Sequence, residues 1–195
     1  MCSPSRPLNW RKNTPLSEAL VCRPTLRAAL VDFGLVTAKS LDVNFINPFL
    51  TATMNVLKIQ ASTESKAGQM YKRGSKDEYL GDISGIIGLV SEAFTGAVVI
   101  SFPEKTFLKI ISRMLGEEFT SMSKDIQDGA GELTNIIFGQ AKVVLNEKGY
   151  GIRTAIPSVV TGKDHSVQNL SRGPRVTIPF TTDVGDFFIE VCLSD

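Results

Sequence analysis

Apolar side chains recur along the chain with a spacing that changes from one segment to the next. In residues 44–60 they recur every three or four positions, which predicts a helix, and Pro48 is compatible with its first turn. The residues near the apolar face of this helix are Phe49, Thr53, Val56 and Leu57. Residues 61–77 are polar and charged, so we expect a loop or a frayed helix end there.

The centre of the sequence predicts a β-hairpin followed by a second helix. Residues 80–90 and 97–102 are apolar runs, and the segment between them ends in glycine, which indicates a hairpin turn. Pro103 and Glu104 are typical of a helix start, and Gly116 is typical of a helix end. The apolar positions that follow the helical period are Phe107, Leu108, Ile111, Met114 and Leu115.

The longest helical pattern runs from Ser123 to Lys148 and stops at Gly149. At about 100° per residue its apolar side chains form one stripe, which we expect to pack on the sheet. That stripe consists of Ile126, Ala130, Leu133, Ile137, Ala141 and Val144. The opposite side of the helix carries Asp128, Glu132, Asn135 and Gly139.

After the long helix the sequence predicts short strands. A loop rich in Gly, Ser and Asn is expected at 162–174, and two strands are expected at 175–182 and 186–193. The order of helix, hairpin, two helices and strands indicates an α+β fold, in which an antiparallel sheet is backed by long helices. The sequence lacks the β-α-β alternation that a doubly wound parallel sheet requires.

The composition excludes several classes of function. The 195 residues include 21 basic and 20 acidic ones, and the resulting net charge of +1 gives little attraction to nucleic acid or anionic membranes. The apolar runs are too short to span a membrane. Cys2, Cys22 and Cys192 form no C-x-x-C pair, which argues against a disulfide framework or zinc cluster and fits a reducing cytoplasm. The single histidine, His165, is expected on the surface of a polar loop.

Charge is distributed unevenly between the first forty residues and the rest. Residues 1–40 contain six basic and two acidic residues, a net of +4, whereas residues 41–195 contain 15 and 18, a net of −3. An Arg-rich, acid-poor start is compatible with an organellar transit peptide. We favour a poorly ordered extension, or residues translated from an upstream start, and we expect one domain over residues 41–195.

The polar side of the long helix has two interpretations. A solvated polar face is what any amphipathic surface helix shows. However, Gly129, Gly131 and Gly139 each cost about 1 kcal/mol relative to alanine in a helix interior, and asparagine is also unfavourable there. Small residues beside Glu132 and Asn135 would let the backbone of another protein approach closely, so the sequence favours a contact surface.

The residues on this helix resemble the signature of the CheC/CheX/FliY family of chemotaxis phosphatases. That signature is an acidic residue or serine, three residues, a glutamate, two residues, an asparagine and a distant proline. The matching residues are Asp128, Glu132, Asn135 and Pro157. Further similarity, to the CheX members in particular, lies in residues 44–49, 82–102, 179–182 and 187–191. The resemblance covers residues 41–195 and none of residues 1–40.

This resemblance implies a pseudo-symmetric fold, a homodimer, and a cytoplasmic enzyme that hydrolyses the aspartyl phosphate of the response regulator CheY. Asn135 would position the attacking water, as the glutamine of GTPases does, and Glu132 would pair with a lysine of the regulator. Asp128, Gly131 and Pro157 would support the motif, Asp128 through the helix dipole and Pro157 by shaping a strand edge. The chain would need no cofactor, because the Mg²⁺ would belong to the regulator.

Two other hypotheses remain. The same fold could be a non-catalytic module that binds a response regulator or a flagellar-switch component, although the intact pair of Glu132 and Asn135 disfavours this. The chain could also be an unrelated structural domain with a polar helix face. Residues 44–60 contain no glutamate three positions before an asparagine, so we expect one active surface rather than two.

Overall fold

The computed structural model describes residues 43–72, 81–153, 157–165, 167, 173 and 175–194. The predicted extension, residues 1–40, lies outside the described residues. The helices are α1 (Val43–Ala61), α2 (Glu104–Leu115) and α3 (Lys124–Glu147). The strands are β1 (Ser65–Ala67), β2 (Tyr71–Lys72), β3 (Gly81–Val90), β4 (Thr95–Phe102), β5 (Ser158–His165), β6 (Arg175–Thr182) and β7 (Gly185–Ser194).

The strands form one antiparallel sheet in the order β1-β6-β7-β4-β3-β5, and β2 also pairs with β6. The hairpins β3–β4 and β6–β7 therefore lie side by side, with β4 paired to β7 at the centre. The helices cover one face of this sheet, which confirms the predicted α+β class. Aromatic side chains, including the stacked rings of Phe102, Phe180 and Phe187, fill the core between the two layers.

Two of the predicted loops contain strands, so the sequence interpretation was wrong there. Within the predicted loop 61–77 lie β1 and β2, and β5 runs through the start of the predicted loop 162–174 as far as His165. These strands lie at the two edges of the sheet, where polar side chains face water. They consequently lack the alternation of apolar and polar residues that identifies a half-buried strand.

Helix α1 begins at Val43, so Pro48 is its sixth residue and lies beyond the first turn, contrary to our expectation. A proline there cannot donate a hydrogen bond to the carbonyl four residues before it. That carbonyl, on Asn44, instead accepts a hydrogen bond from Nζ of Lys148, at 3.5 Å. Since Lys148 caps the end of α3, this contact brings the start of α1 to the end of α3, and the two helices run antiparallel.

The start and end of α2 are held by other elements. Pro103 precedes the helix without a capping side chain of its own, and Oδ2 of Asp82 on β3 accepts the backbone N–H of Glu104 at 2.8 Å. At the other end Gly116 adopts a left-handed conformation with φ 73°, as predicted for a terminating glycine. Leu115, which we expected on the apolar face, is 59% exposed because the helix ends there.

Arg113 in the last turn of α2 ties the helix to the β6–β7 turn. Its guanidinium makes a bidentate contact with Asp183 at 2.6 and 3.0 Å, and it also donates to Oγ1 of Thr63 at 2.9 Å. This pair lowers the pKa of Asp183 below its usual range and raises that of Arg113. Among the helices that the structure describes, none is long and apolar enough to cross a membrane.

Candidate functional site: the exposed face of helix α3

Helix α3 is fixed at its start and along one side. Oγ of Ser123 accepts the backbone N–H of Ile126 at 3.3 Å, which caps the helix. The buried residues are Ile126, Ala130, Leu133, Thr134, Ile137, Phe138, Ala141 and Leu145. Five of these belong to the predicted stripe. The sixth predicted member, Val144, is not buried: it is 39% exposed, and Leu145 is buried in its place. The buried arc is wider than predicted because α3 packs against α1 as well as the sheet.

Two close contacts hold α3 against the sheet. Thr134 is buried, and its hydroxyl donates to the carbonyl of Ala130 at 2.7 Å. A Cβ added to Gly85 of β3 would lie 1.9 Å from Oγ1 of Thr134, so only glycine permits this approach of strand and helix. On the β5 side, a Cβ at Gly131 would lie 3.2 Å from Cγ2 of Val159.

The polar residues of the signature lie on the opposite, exposed side of α3. Asp128, Glu132, Asn135 and Gly139 are all exposed. Glu132 and Asn135 are three residues apart on one helix, so their Cβ atoms lie about 5–6 Å from each other. An acid and an amide are thus presented together on a convex, rigid element, within reach of a second protein.

The structure changes the interpretation of two of the three helix glycines. Gly129 and Gly131 are half-buried. A Cβ at Gly129 would lie 2.9 Å from Cδ1 of Ile111 on α2, and Gly131 is covered by Val159. Their small size thus serves packing within the chain, contrary to our expectation that it admits a partner. Gly139 alone fits that expectation, because a Cβ there would meet no described atom within 4 Å.

Asp128 does not have the dipole role expected from the resemblance. It is the fifth residue of α3, and the acidic residue in the first turn is Asp125. Since the dipole effect decays within the first turn, Asp125 is the residue that benefits from it. Asp128 instead lies one turn before Glu132 on the same exposed side, so the first half of the helix has an acidic surface.

Pro157 lies immediately before β5 and is half-buried. A proline before the first residue of an edge strand costs no ladder hydrogen bond. Its connection to α3 runs through Val159, two residues further on, which packs over Gly131. Asn146 in the last turn of α3 holds Ile152, which follows the helix. Its side chain makes two hydrogen bonds with the backbone of Ile152, at 2.7 and 3.1 Å.

His165 is not the surface residue that we predicted. It is half-buried at the end of β5, where Nε2 lies 2.7 Å from Oγ of Ser84 and Nδ1 lies 2.8 Å from the carbonyl oxygen of Gly162. A carbonyl can only accept, so Nδ1 carries a proton, and in the neutral imidazole Nε2 accepts from the Ser84 hydroxyl. The histidine joins β5 to β3 and lies apart from the signature residues on α3.

Asp82 strengthens the same junction. Its carboxylate accepts the backbone N–H groups of Glu104, at 2.8 Å, and of Asp164, at 3.0 Å. These two hydrogen bonds, the former being the larger effect, lower the pKa of Asp82 below its ordinary value of 3.8. The carboxylate thereby holds β3, β5 and α2 together at one end of the sheet.

The contacts that position the site could not be found from helical periodicity. Thr134 and Gly85 lie far apart in sequence, and the threonine gives no indication of a helix-to-strand contact. An isolated glycine within a strand pattern is the one available signal, since it often marks a close approach of another element. Among the described residues, no group of three or more His, Cys, Asp or Glu side chains is arranged to hold a metal ion.

Comparison with known proteins identifies the family. The sequence model of the family described as chemotaxis phosphatase CheX matches residues 83–181, half of the chain. The match includes most of β3, all of α3 and the whole signature. A curated relative, the CheY-P phosphatase CheX of Thermotoga maritima, is 24% identical over 130 residues, which are 66% of this chain and 83% of that protein.

Solved structures agree with this match. A CheC-like superfamily protein from Shewanella sp. PV-4 is 39% identical, with a TM-score of 0.74, over 80% of this chain and 100% of that chain. The structure of a CheX–CheY–BeF₃–Mg²⁺ complex from Borrelia burgdorferi superposes with a TM-score of 0.64 over 77% of this chain and 98% of that chain. At 23% identity, that likeness shows a common fold alone. From the family match and the identity to the Shewanella protein, the chain belongs to the chemotaxis phosphatase CheX family.

Proposed function

We propose that this protein hydrolyses the aspartyl phosphate of a CheY-type response regulator, with the exposed face of α3 as its active surface. The observation that carries the proposal is that Glu132 and Asn135 are both exposed, three residues apart, on the convex side of a helix whose other side is fixed. Side chains on a protruding helix can reach into the surface of a folded protein substrate. The curated Thermotoga relative is named as a phosphatase of this type.

Asn135 is proposed to position the attacking water. An acyl phosphate is already activated, so its hydrolysis requires a correctly placed water more than a strong base. A carboxamide cannot act as a base at neutral pH, but it can accept from and donate to a water held in line with the phosphorus. The rate gain would therefore come from positioning, and the rigidity of α3 supports it.

Glu132 is proposed to dock the regulator by pairing with one of its lysines. The carboxylate lies one turn before Asn135 on the same exposed face, so the ion pair would set the register in which Asn135 enters the regulator's phosphorylation site. Such a pair contributes more to orientation and association rate than to affinity. Asp128 and Asp125 add negative charge along the same half of the helix.

The metal required for phosphoryl transfer is proposed to be Mg²⁺ bound by the regulator. The related Borrelia complex contains CheY, BeF₃ and Mg²⁺ together with CheX. The chain's own contribution would be the amide and the carboxylate of α3, and no step requires a cofactor bound to this protein. Because its substrate would be a cytoplasmic response regulator, we place the protein in the cytoplasm.

We also propose a homodimer formed through sheet edges. Within the described part of the chain, β5 is paired on one side only, with β3, and its residues are mostly exposed. An eight-residue edge strand can pair with a second copy. Light scattering on the full-length protein should give twice the mass of the 21.2 kDa chain. A monomer mass at micromolar concentration would refute the dimer without affecting the phosphatase proposal.

The phosphatase proposal is tested by phosphate release from a phosphorylated CheY-type regulator. The wild-type protein should accelerate release above the regulator's own rate, and Asn135→Ala should remove about 100-fold of this acceleration, the typical cost of lost positioning. Tight binding of the phosphorylated regulator without any acceleration would instead favour the non-catalytic binding module. Equal acceleration by wild type and Asn135→Ala would remove Asn135 from the mechanism.

A further inference from the structure

The exposed face of α3 continues beyond Asn135 with a different chemistry. At about 100° per residue, Gly139 and Val143 lie within about 80° of Asn135 around the helix. The first half of the face carries the acidic residues Asp128 and Glu132. The second half presents a bare backbone at Gly139 and an apolar side chain at Val143, which is 59% exposed.

Nothing among the described residues explains a glycine at position 139. A Cβ there would meet no described atom within 4 Å, so alanine would fit and would favour the helix. Gly129 and Gly131, by contrast, have side chains of other elements packed closely over them. A single exposed valine is ordinary in itself. Its position one turn beyond an exposed helical glycine, on the face of Glu132 and Asn135, makes the two residues a continuous apolar notch.

We infer that an apolar side chain of the phosphorylated response regulator seats in the notch formed by Gly139 and Val143. This inference rests on the proposed function. The regulator would then have a cation opposite Glu132 and an apolar residue opposite Gly139. These two contacts would fix the direction in which the regulator lies along α3. Val143 is about 12 Å along the axis from Asn135, well within the width of an ordinary protein interface.

The regulator fits this notch better than the other candidate occupants. A segment of this chain, or a second copy, lying on Gly139 would be about 6 Å along the axis from Asn135. It would therefore obstruct the amide that must reach the regulator's phosphorylation site. The regulator itself is the one occupant whose presence at Gly139 is compatible with catalysis at Asn135.

The test uses the full-length protein and two readouts, namely steady-state phosphate release and equilibrium binding to a beryllofluoride-loaded CheY-type regulator. Gly139→Leu should raise the KM and the Kd about tenfold, with kcat little changed, because its side chain fills the notch. Gly139→Ala should raise the KM and the Kd about threefold and should also raise the thermal midpoint of unfolding. If the glycine served only the fold, weaker binding would not accompany higher stability. Val143→Ala should weaken binding about threefold.

Matched controls come from neighbouring exposed positions of α3. Gln140→Leu places a leucine about 100° away from Gly139, and Val144→Ala truncates a valine about 100° away from Val143. Both should bind the loaded regulator as the wild type does. Wild-type affinity of Gly139→Leu for the loaded regulator would overturn the inference. A solution mass of Gly139→Leu without regulator that differs from that of the wild type would also overturn it, because it would show that Gly139 contacts a second copy of this chain.

The two readouts separate the inference from the proposed function. If wild type binds the loaded regulator but fails to accelerate phosphate release, the phosphatase proposal fails while the binding data still decide the notch. If Asn135→Ala abolishes acceleration but Gly139→Leu binds normally, the phosphatase proposal stands and the notch is refuted.

Discussion

Helices α1 and α3 share most of their buried positions and have different exposed faces. Thr53 of α1 and Thr134 of α3 are both buried, and each donates to the carbonyl four residues earlier, at 2.8 and 2.7 Å. If the two helices are aligned on these threonines, 81 positions apart, five of the other seven buried residues of α3 align with buried residues of α1. The pairs are Phe45 and Ile126, Phe49 and Ala130, Ala52 and Leu133, Val56 and Ile137, and Leu57 and Phe138.

The α1 residues that align with the exposed residues of α3 are different in type. Where α3 has Glu132 and Asn135, α1 has Thr51 and Met54. Where α3 has the bare Gly139, α1 has Lys58, whose ammonium lies 2.8 Å from the carboxylate of Glu64. Each helix is followed along the chain by one of the two central hairpins, which supports the pseudo-symmetry implied by the resemblance. The shared pattern is needed for folding, and the difference supports our proposal that α3 carries the active surface.

The largest expected effect is a loss of kcat/KM, caused by substitution at an exposed position where α3 differs from α1. Glu132→Lys should reduce kcat/KM for the phosphorylated regulator about 100-fold, near 3 kcal/mol, because a lysine there would repel the regulator's cation. Thr51→Lys, the corresponding exposed change on α1, should have wild-type kinetics. Steady-state phosphate release measures both, and similar losses in the two variants would mean that the helices do not differ in function.

A smaller effect is expected where α3 meets the sheet. Gly85→Ala would place a methyl group 1.9 Å from Oγ1 and 2.8 Å from Cβ of Thr134, so rotation of the threonine cannot relieve the clash. Forcing helix and strand apart should reduce the free energy of unfolding by about 2 kcal/mol. Gly88→Ala, on the same strand with no described atom within 4 Å of the added Cβ, is the control. Equal urea midpoints for the two variants would show that the contact is not tight.

Asp82 and its two backbone hydrogen bonds lie outside α1 and α3. A change there should lower the stability of the fold without changing which helix binds the regulator. Its pKa is lower in the folded protein, so its stabilising contribution is present above the unfolded pKa near 4 and disappears as the pH falls through the folded value. Asp82→Asn should cost about 1 kcal/mol at pH 7, allowing for solvent exposure, and less at pH 3. Urea unfolding at both pH values measures this, and a constant difference would contradict the linkage.

The smallest effects are expected at the shared positions. Thr53→Val and Thr134→Val each remove a hydroxyl whose acceptor is a helix carbonyl, and each should cost about 0.5–1 kcal/mol. Because the two sites are equivalent in burial and bonding, their unfolding free energies should agree within about 0.5 kcal/mol. A much larger cost at one site would show that the two helices are packed differently.

Much of this fold could be predicted from sequence because its main elements have strong periodicity. The predicted bounds of the hairpin, α2 and α3 agree with the structure within a few residues, and Asp128, Glu132 and Asn135 lie on the exposed face of α3 as predicted. The edge strands were missed because β1 and β2 are three and two residues long and the residues of β5 are mostly exposed. An edge strand forms because it pairs with a strand that is remote in sequence, and the local spacing of apolar residues does not indicate that pairing.

The errors at individual residues have the same cause. The burial of Leu145 and the exposure of Val144 depend on where α1 packs against α3. The roles of Gly129 and Gly131 depend on Ile111 and Val159, which belong to other elements. In each case the local pattern was interpreted correctly as helical, but the neighbour that determines the residue's environment is remote in sequence.

The most direct test separates docking from chemistry at Asn135. The measurement is single-turnover phosphate release from a phosphorylated CheY-type regulator mixed with saturating Asn135→Ala, beside the variant's affinity for the beryllofluoride-loaded regulator. If Asn135 positions the water, the variant binds with near wild-type affinity, yet release falls about 100-fold toward the regulator's own rate. Wild-type release from the saturated Asn135→Ala complex would contradict the account.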